Sequence, residues 1–354
     1  MKRFVLITLL LSASLAHGAD PEFFLGGDVS ALSETEKCGV VYRDNDKPAD
    51  VIDILRHHGC NLFRLRLFVN PSHDASRNFG PTQDLAMVLA LSKRIRQSGA
   101  SLSLALHYSD TWADPGSQTK PAQWKDLSFP ELQNKVTDYT ASVLAAMKSN
   151  GTPPDIVEVG NETTTGMLWP DGKLGGATAQ EKMQQWDNYA RLLKAGTSAV
   201  RSSLPAARIM VHISAGGRAG VPTWFFGELK KHAPDFDIIG LSFYPTFNDR
   251  IDDLKKNLAQ LAPMGKDILI IEAAYPYKPE GKKLDAKWPL TPMGQKQFLD
   301  DLIAAVKGTP DHRGIGVCWW YPEAVPIKNR ATWEGGSMGL FDPKGQLLPA
   351  MSSR

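Results

Sequence analysis

Short apolar runs alternate with helical patterns along nearly all of this 354-residue chain, and that alternation restricts the fold more than any other feature. The runs are FLGGDVS (24–30), NLFRLRLF (61–68), SLSLALHY (101–108), DIVEVGNE (155–162), RIMVHIS (208–214), DIIGLSFYP (237–245), DILIIEAAYP (267–276) and GIGVCWWYP (314–322). Each is rich in branched or aromatic residues, as strands buried in a parallel sheet are. Between them, apolar positions recur at helical spacing over 48–58, stopping at Gly59, and over 84–97, stopping at Gly99. The same pattern covers 131–148, 181–203, 222–232, 249–261 and 292–306. Eight strand-like runs separated by seven helical segments predict an α/β fold with a single (β/α)8 TIM barrel. The rival topology is a doubly wound open sheet. It normally has fewer units and a glycine-rich phosphate turn after its first strand, and no GxGxxG follows such a strand here.

Ahead of the barrel pattern, residues 1–19 read MKRFVLITLLLSASLAHGA: two basic residues, an apolar run, then small residues. This is the pattern of a secretory signal peptide, with an apolar run too short for a stable membrane anchor. The protein is therefore expected to be secreted or periplasmic, with 20–354 forming one barrel domain. The formal net charge is +2, and Lys2 and Arg3 would leave with the signal. No basic stripe marks a nucleic-acid binder and no later stretch is apolar enough for a membrane helix. The expected state is a monomer. Of the three cysteines, Cys318 reads as a small buried side chain, and Cys38 and Cys60 are candidates for pairing.

Polar residues gather at the carboxyl ends of the runs: Asp28, Arg66, His107, Glu162, His212, Tyr244, Glu272 and Trp320. In a barrel those ends share one face, where active sites sit. Glu162 and Glu272 fall at the ends of runs four and seven, on opposite sides of such a barrel. Two carboxylates flanking one pocket are the usual means of breaking a glycosidic bond. At about 5 Å apart they suit retention through a covalent intermediate; a wider gap suits inversion. Taken singly, either glutamate reads as a salt-bridged strand end.

At this point the chain resembles a known family. GGDVS, GCNLFRLRLFVNP, HYSDTWADPGSQTKPAQW, VGNETTTGMLWPDG, LSFYP and IEAAYPY are similar to stretches of glycoside hydrolase family 53, the endo-β-1,4-galactanases. The likeness runs from about Gly26 to Pro322, and HYSDTWADP followed by PAQW is its most specific marker. It implies a retaining enzyme cutting β-1,4-galactan in type I arabinogalactan and pectin. Carried over by position, Glu162 is the acid/base and Glu272 the nucleophile. Asn161 would bond the sugar 2-hydroxyl, and Arg66 and Tyr244 would donate to Glu272 and keep it ionised.

Arg64 and Arg66 share parity, so both face one side of their strand and need partners there. Trp112, Trp169, Trp320 and Trp333 are candidate sugar platforms, with Trp112 and Trp320 favoured; Trp124, Trp186, Trp224 and Trp288 are read as packing. His107 and Asp110 are candidates to position sugar or tune a carboxylate. His57-His58 is read as surface or packing. No HExxH and no HxH on the first strand point to a metallohydrolase, so no metal and no cofactor are expected. The sequons at Asn150 and Asn161 are read as coincidence.

The chain departs from the family in two loops. VHISAGG replaces the usual polar pair after the fifth strand, and Trp320-Tyr321-Pro322-Glu323-Ala324 replaces a Trp-Glu-Pro-Ala-Trp motif. Some bacterial members bind calcium beyond strand eight, but VPIKNRATWEGGSMG has no cluster of oxygen ligands, so none is expected. Two other readings compete with a galactanase: a mannanase or glucanase of the same clan, and a glycan-binding barrel that has lost catalysis.

Overall fold

The computed structural model describes residues 23–72, 82–279 and 287–352. The expected signal peptide lies outside these residues. Eight parallel strands close into a barrel: β1 (Phe24–Asp28), β2 (Leu62–Leu67), β3 (Ser101–Leu106), β4 (Ile156–Val159), β5 (Arg208–Ile213), β6 (Ile238–Phe243), β7 (Asp267–Ala273) and β8 (Gly314–Trp320). β1 pairs with both β2 and β8, so the sheet has no edge. The expected (β/α)8 architecture is present. The apolar runs overshoot the strands at their carboxyl ends, by three residues in the seventh and likewise in the fourth. There the strand stops at Val159, three residues before Glu162.

Seven helices of the outer ring are α1 (Val51–His57), α2 (Leu85–Gln97), α3 (Phe129–Ser149), α4 (Ala179–Ser203), α5 (Val221–Lys230), α6 (Ile251–Leu261) and α7 (Pro292–Lys307). Their starts are capped by chemistry written in the sequence. Asp50 accepts from the Ile52 amide and Asp84 from the Met87 amide, while Ser128 with Glu131 and Thr178 with Glu181 form capping boxes. The eighth position is filled only by a four-residue helix, α8 (Pro349–Ser352).

Two apolar regions make the core. The larger lies between strands and helices; a smaller one fills the barrel's amino-terminal half with Leu62, Ile156, Met210, Ile238, Leu269, Ile271 and Cys318. Toward the carboxyl ends the inward side chains turn polar: Asp28, Arg64, Arg66, Glu158, His212 and Ser242, all essentially buried. The arginine parity reading holds, since both guanidinium groups point inside. None of Cys38, Cys60 and Cys318 is in a disulfide, so the candidate Cys38–Cys60 pair does not form.

One irregularity decides the site. β6 and β7 pair in step from Ile238↔Asp267 to Leu241↔Ile270, then skip Ile271 so that Ser242 faces Glu272. Leu269 and Ile271 point into the barrel, so strict alternation would send Glu272 outward. The extra residue in β7 turns it inward, which is a common use of a bulge beside an active site.

Close approach at β1 gives a test of the barrel. A Cβ on Gly26 would lie 2.0 Å from the Leu62 carbonyl oxygen, whereas one on Gly227, within α5, meets nothing within 4 Å. Gly26→Ala is expected to cost about 3 kcal/mol through forced backbone movement. Gly227→Ala should add about 0.5–1 kcal/mol. Urea unfolding of the two variants checks both signs.

Candidate active site

A cleft of ≈ 470 Å³ opens at the carboxyl face, lined by Glu162, Glu272, Asn161, Tyr244 and an aromatic wall that includes Trp112, Trp320 and Trp333. Beneath it lies Arg64. Its Nε and one terminal nitrogen donate to the two oxygens of Glu158, at 2.9 and 2.8 Å. That terminal nitrogen also donates to Asn161 Oδ1 at 2.7 Å. The other donates to Asp28 at 3.0 Å and to Glu272 at 2.6 Å. These five bonds occupy every donor of the guanidinium. Arg64 is wholly buried, and Glu158 is its main compensating charge. The pairing works in both directions: burial pushes Glu158 up, but Arg64 and His212 outweigh it and hold it down at about 2.

The two expected carboxyls therefore sit in contrasting settings. Glu272 accepts from Arg64 on one oxygen and from the Tyr244 hydroxyl on the other, at 2.9 Å. Glu162 receives one bond, from Ser242 Oγ at 2.6 Å. Burial, then the neighbouring charge of Glu272, push Glu162 up to about 7. A carboxyl so raised holds a proton near neutrality while its neighbour accepts hydrogen bonds, which is the division of labour seen where two acids flank one bond.

Glu162 follows β4 in the left-handed region, at φ 44, ψ 51. Non-glycine residues there are uncommon and gather at functional sites. The turn is held by its neighbours. Gln118 donates to the Asn161 carbonyl at 2.8 Å, and Thr163 bonds Tyr189 and the His212 carbonyl.

The other candidates divide. Asn161, Tyr244, Trp112 and Trp320 line the cleft. Asp28, Arg66, His107, Asp110 and His212 do not, and each has a different task. Asp28 is fully buried and accepts from Ser30, Arg64 and Arg66. Contrary to the expectation from the sequence, Arg66 does not reach Glu272 and donates to Asp28; Arg64 takes that role. The Arg66 guanidinium instead lies over Trp112 and Trp320, 4.8 and 4.5 Å from the ring centroids. His107 packs edge-on against Phe68 and Trp112. Burial, then Arg64 and Arg66, hold its pKa well below the usual range, so it is a neutral prop for the tryptophan. Asp110 accepts from the amides of Asn70 and Ala122 and ties two loops together. His212 is bracketed by Glu158 and Ser242.

Among the tryptophans, Trp333 joins Trp112 and Trp320 in the cleft, and Trp169 lies in a separate groove with Lys120 and Asp171. Trp124, Trp186 and Trp288 are packed, but Trp224 is 52% exposed on α5, against the packing reading. His57 is exposed, and His58 is buried with a 2.9 Å contact to Asp44; none of these residues lines the cleft.

Sequence reasoning missed Glu158, Ser242, Arg218 and Asp249. The first carried a readable signal, a charge in the middle of an apolar run at the inward parity of its strand. Arg218 and Asp249 line the cleft from the loops after β5 and β6, where no periodicity operates.

Residues 24–353 match the family described as glycosyl hydrolase family 53. The chain belongs to glycosyl hydrolase family 53. It is 37% identical to an uncharacterized protein from the bgaB 5′ region of Niallia circulans, covering 94% of this chain and 93% of that one. It is 31% identical to an arabinogalactan endo-β-1,4-galactanase of Cellvibrio japonicus, over 99% and 96%. The family 53 catalytic domain from Ignisphaera aggregans superposes with a TM-score of 0.83 at 30% identity, covering 95% of this chain and 96% of that domain. As a family 53 glycoside hydrolase, the protein presents Glu162 and Glu272 on one cleft.

The raised carboxyl can be tested without substrate. The folded protein keeps Glu162 protonated up to about 7, whereas an unfolded chain releases that proton near the ordinary 4.5. Between these values the folded state binds more protons, so this contribution to stability is lost as pH rises. Glu162→Gln lacks it. The variant is expected to match wild type below about pH 4.5 and to exceed it by about 3 kcal/mol above about pH 8. Chemical denaturation at the two pH values measures the difference.

Proposed function

We propose that this family 53 protein is a secreted, endo-acting β-1,4-galactanase that works with retention. The observation that carries the reading is the contrast between the two carboxyls, one holding its proton to about 7 and the other receiving donors on both oxygens. In the first step a Glu272 oxygen bonds to the anomeric carbon, the glycosidic C–O bond breaks, and the leaving oxygen takes the Glu162 proton. In the second, the Glu162 carboxylate takes a proton from water. The water oxygen bonds to the anomeric carbon and the ester to Glu272 opens, restoring both groups. Asn161 has its oxygen on Arg64 and one amide hydrogen on the Ala113 carbonyl, at 2.7 Å, which leaves a hydrogen for the sugar 2-hydroxyl.

The substrate class follows from the walls. Trp112, Trp320, Trp333, Tyr244 and Phe247 offer apolar surfaces, suited to the faces of a neutral pyranose polymer. The name of the Cellvibrio japonicus relative narrows the polymer to β-1,4-galactan, as found in arabinogalactan side chains of pectin. Secretion rests on the pattern of residues 1–19. Among the described residues no helix is long and apolar enough to cross a membrane.

Two experiments test this. Glu272→Ala should abolish turnover, and azide should restore cleavage with inverted product, because the anion fills the vacated space and attacks from the same side. Glu162→Ala should slow galactan cleavage by about 10²–10⁴-fold yet spare aryl galactosides with good leaving groups. Equal loss on both substrates would remove Glu162 as the acid.

On unbranched galactan, viscosity should fall before much reducing sugar appears. Rates on cellulose and mannan should be near zero, since a site built around the axial 4-oxygen rejects sugars that carry it equatorially, and polygalacturonate, which shares the axial oxygen, should fail because it is α-linked and anionic. Comparable rates on mannan would reassign the substrate.

A further inference from the structure

A chain of hydrogen bonds runs from the catalytic carboxyl into the barrel interior. Glu162 Oε1 is 2.6 Å from Ser242 Oγ, Ser242 Oγ is 2.9 Å from His212 Nε2, and His212 Nδ1 is 2.7 Å from Glu158. Ser242 and His212 are buried and Glu158 is fully so. Glu158 is an anion and already accepts twice from Arg64, so it fixes the His212 hydrogen on Nδ1 and leaves Nε2 as the variable site.

The serine hydroxyl has one hydrogen and lies between two groups that can each gain or lose one. With a proton on Glu162, the carboxyl donates to Ser242 Oγ and the serine donates to neutral His212. With the proton on His212 instead, Nε2 donates to Ser242 Oγ and the serine donates to the Glu162 carboxylate. Both arrangements satisfy every atom in the chain. With no proton, one serine hydrogen faces two acceptors; with two, the serine hydrogen has no partner. A chain built this way favours the state holding one proton.

We propose that Glu162, Ser242 and His212 share one proton, with Ser242 as the switchable link and His212 as the second holder. The proposal rests on Glu162 being the acid/base of the reaction. The transfer is balanced: the Glu162 O–H bond breaks as the Ser242 hydroxyl gains that hydrogen and gives its own to His212 Nε2, and the return reverses each bond. His212 is then a positioning and proton-holding residue that never touches sugar.

The electrostatic surroundings match the two holders. Glu162 is raised to about 7 by burial and by Glu272, with His212 and Ser242 opposing. Burial lowers the His212 pKa, but Glu158 and then Glu272 outweigh it and leave it raised above its usual 6.5, against the charge of Arg64. The charged or titratable groups facing His212 are thus Glu158 within β4 and Glu162 after it, Arg64 from β2, His107 beyond β3 and Glu272 from β7. Both sites hold a proton more strongly than the same groups do in water, and one hydroxyl joins them.

The test is the titration of His212 in protein labelled with ¹⁵N-histidine, where only eight histidines need assignment. Ring nitrogen shifts are followed against pH in wild type, Glu162→Gln, Ser242→Ala and the double variant. A shared proton predicts that Glu162→Gln weakens proton binding at His212 Nε2 by about tenfold when Ser242 is present, and by about threefold or less in the Ser242→Ala background. Ser242→Thr, which keeps the hydroxyl, should retain the larger effect. Ser242→Cys preserves shape with a poorer hydrogen-bonding group and serves in place of Ser242→Ala should that variant not fold. Equal responses of His212 with and without the hydroxyl would overturn the proposal. The readout needs no substrate, so a protein inactive on galactan but showing the coupling would fail the functional reading alone.

Discussion

The Arg64 guanidinium is the contact on which the site depends. It stands on β2 and binds side chains that come from β1, from β4 and the turn after it, and from β7. A cation buried without partners would be untenable, and three carboxylates left without it would be equally so. The arrangement is therefore stable only when all parts are present. It places Glu272 to within one hydrogen bond of a rigid barrel strand. It also orients Asn161, which begins the left-handed turn carrying Glu162.

The same economy of contacts explains why several polar residues at the barrel mouth never meet the cleft. Asp28 answers Arg64 and Arg66; Arg66 supports Trp112 and Trp320; His107 supports Trp112 from below. An aromatic platform must be held still to be useful, and cations and edge-on rings hold it. Function is thus spread over two depths. The outer groups line the cleft, and the inner groups fix their positions and proton affinities.

The barrel was legible because short apolar runs and period-3.6 helical patterns alternate along the chain; the caps at Ser128 and Thr178, which set the helix starts two residues ahead of the periodic pattern, were not read. Glu162 and Glu272 were legible as acids at run ends, with motifs around them that resemble family 53. What the pattern did not carry was direction. Glu272 faces the barrel through a register slip that pairing partners impose, and β7's own alternation points it the other way. The exchange of roles between Arg64 and Arg66 was hidden for a similar reason: both face inward, and only the positions of Glu158 and Glu272 decide which one reaches them. Ser242 looked like an ordinary small residue in LSFYP until Glu162 and His212 were seen on either side of it.

The central claim is that Glu162 and Glu272 act as acid/base and nucleophile in two successive displacements at one carbon. The most direct test is ¹H NMR of the anomeric signals in the first minutes of hydrolysis of a β-1,4-galacto-oligosaccharide by the wild-type protein. Two displacements restore the starting configuration, so the β-anomer of the new reducing end should appear first and the α-anomer only later by mutarotation. An α-anomer formed first would mean a single displacement by water, and would contradict the role assigned to Glu272.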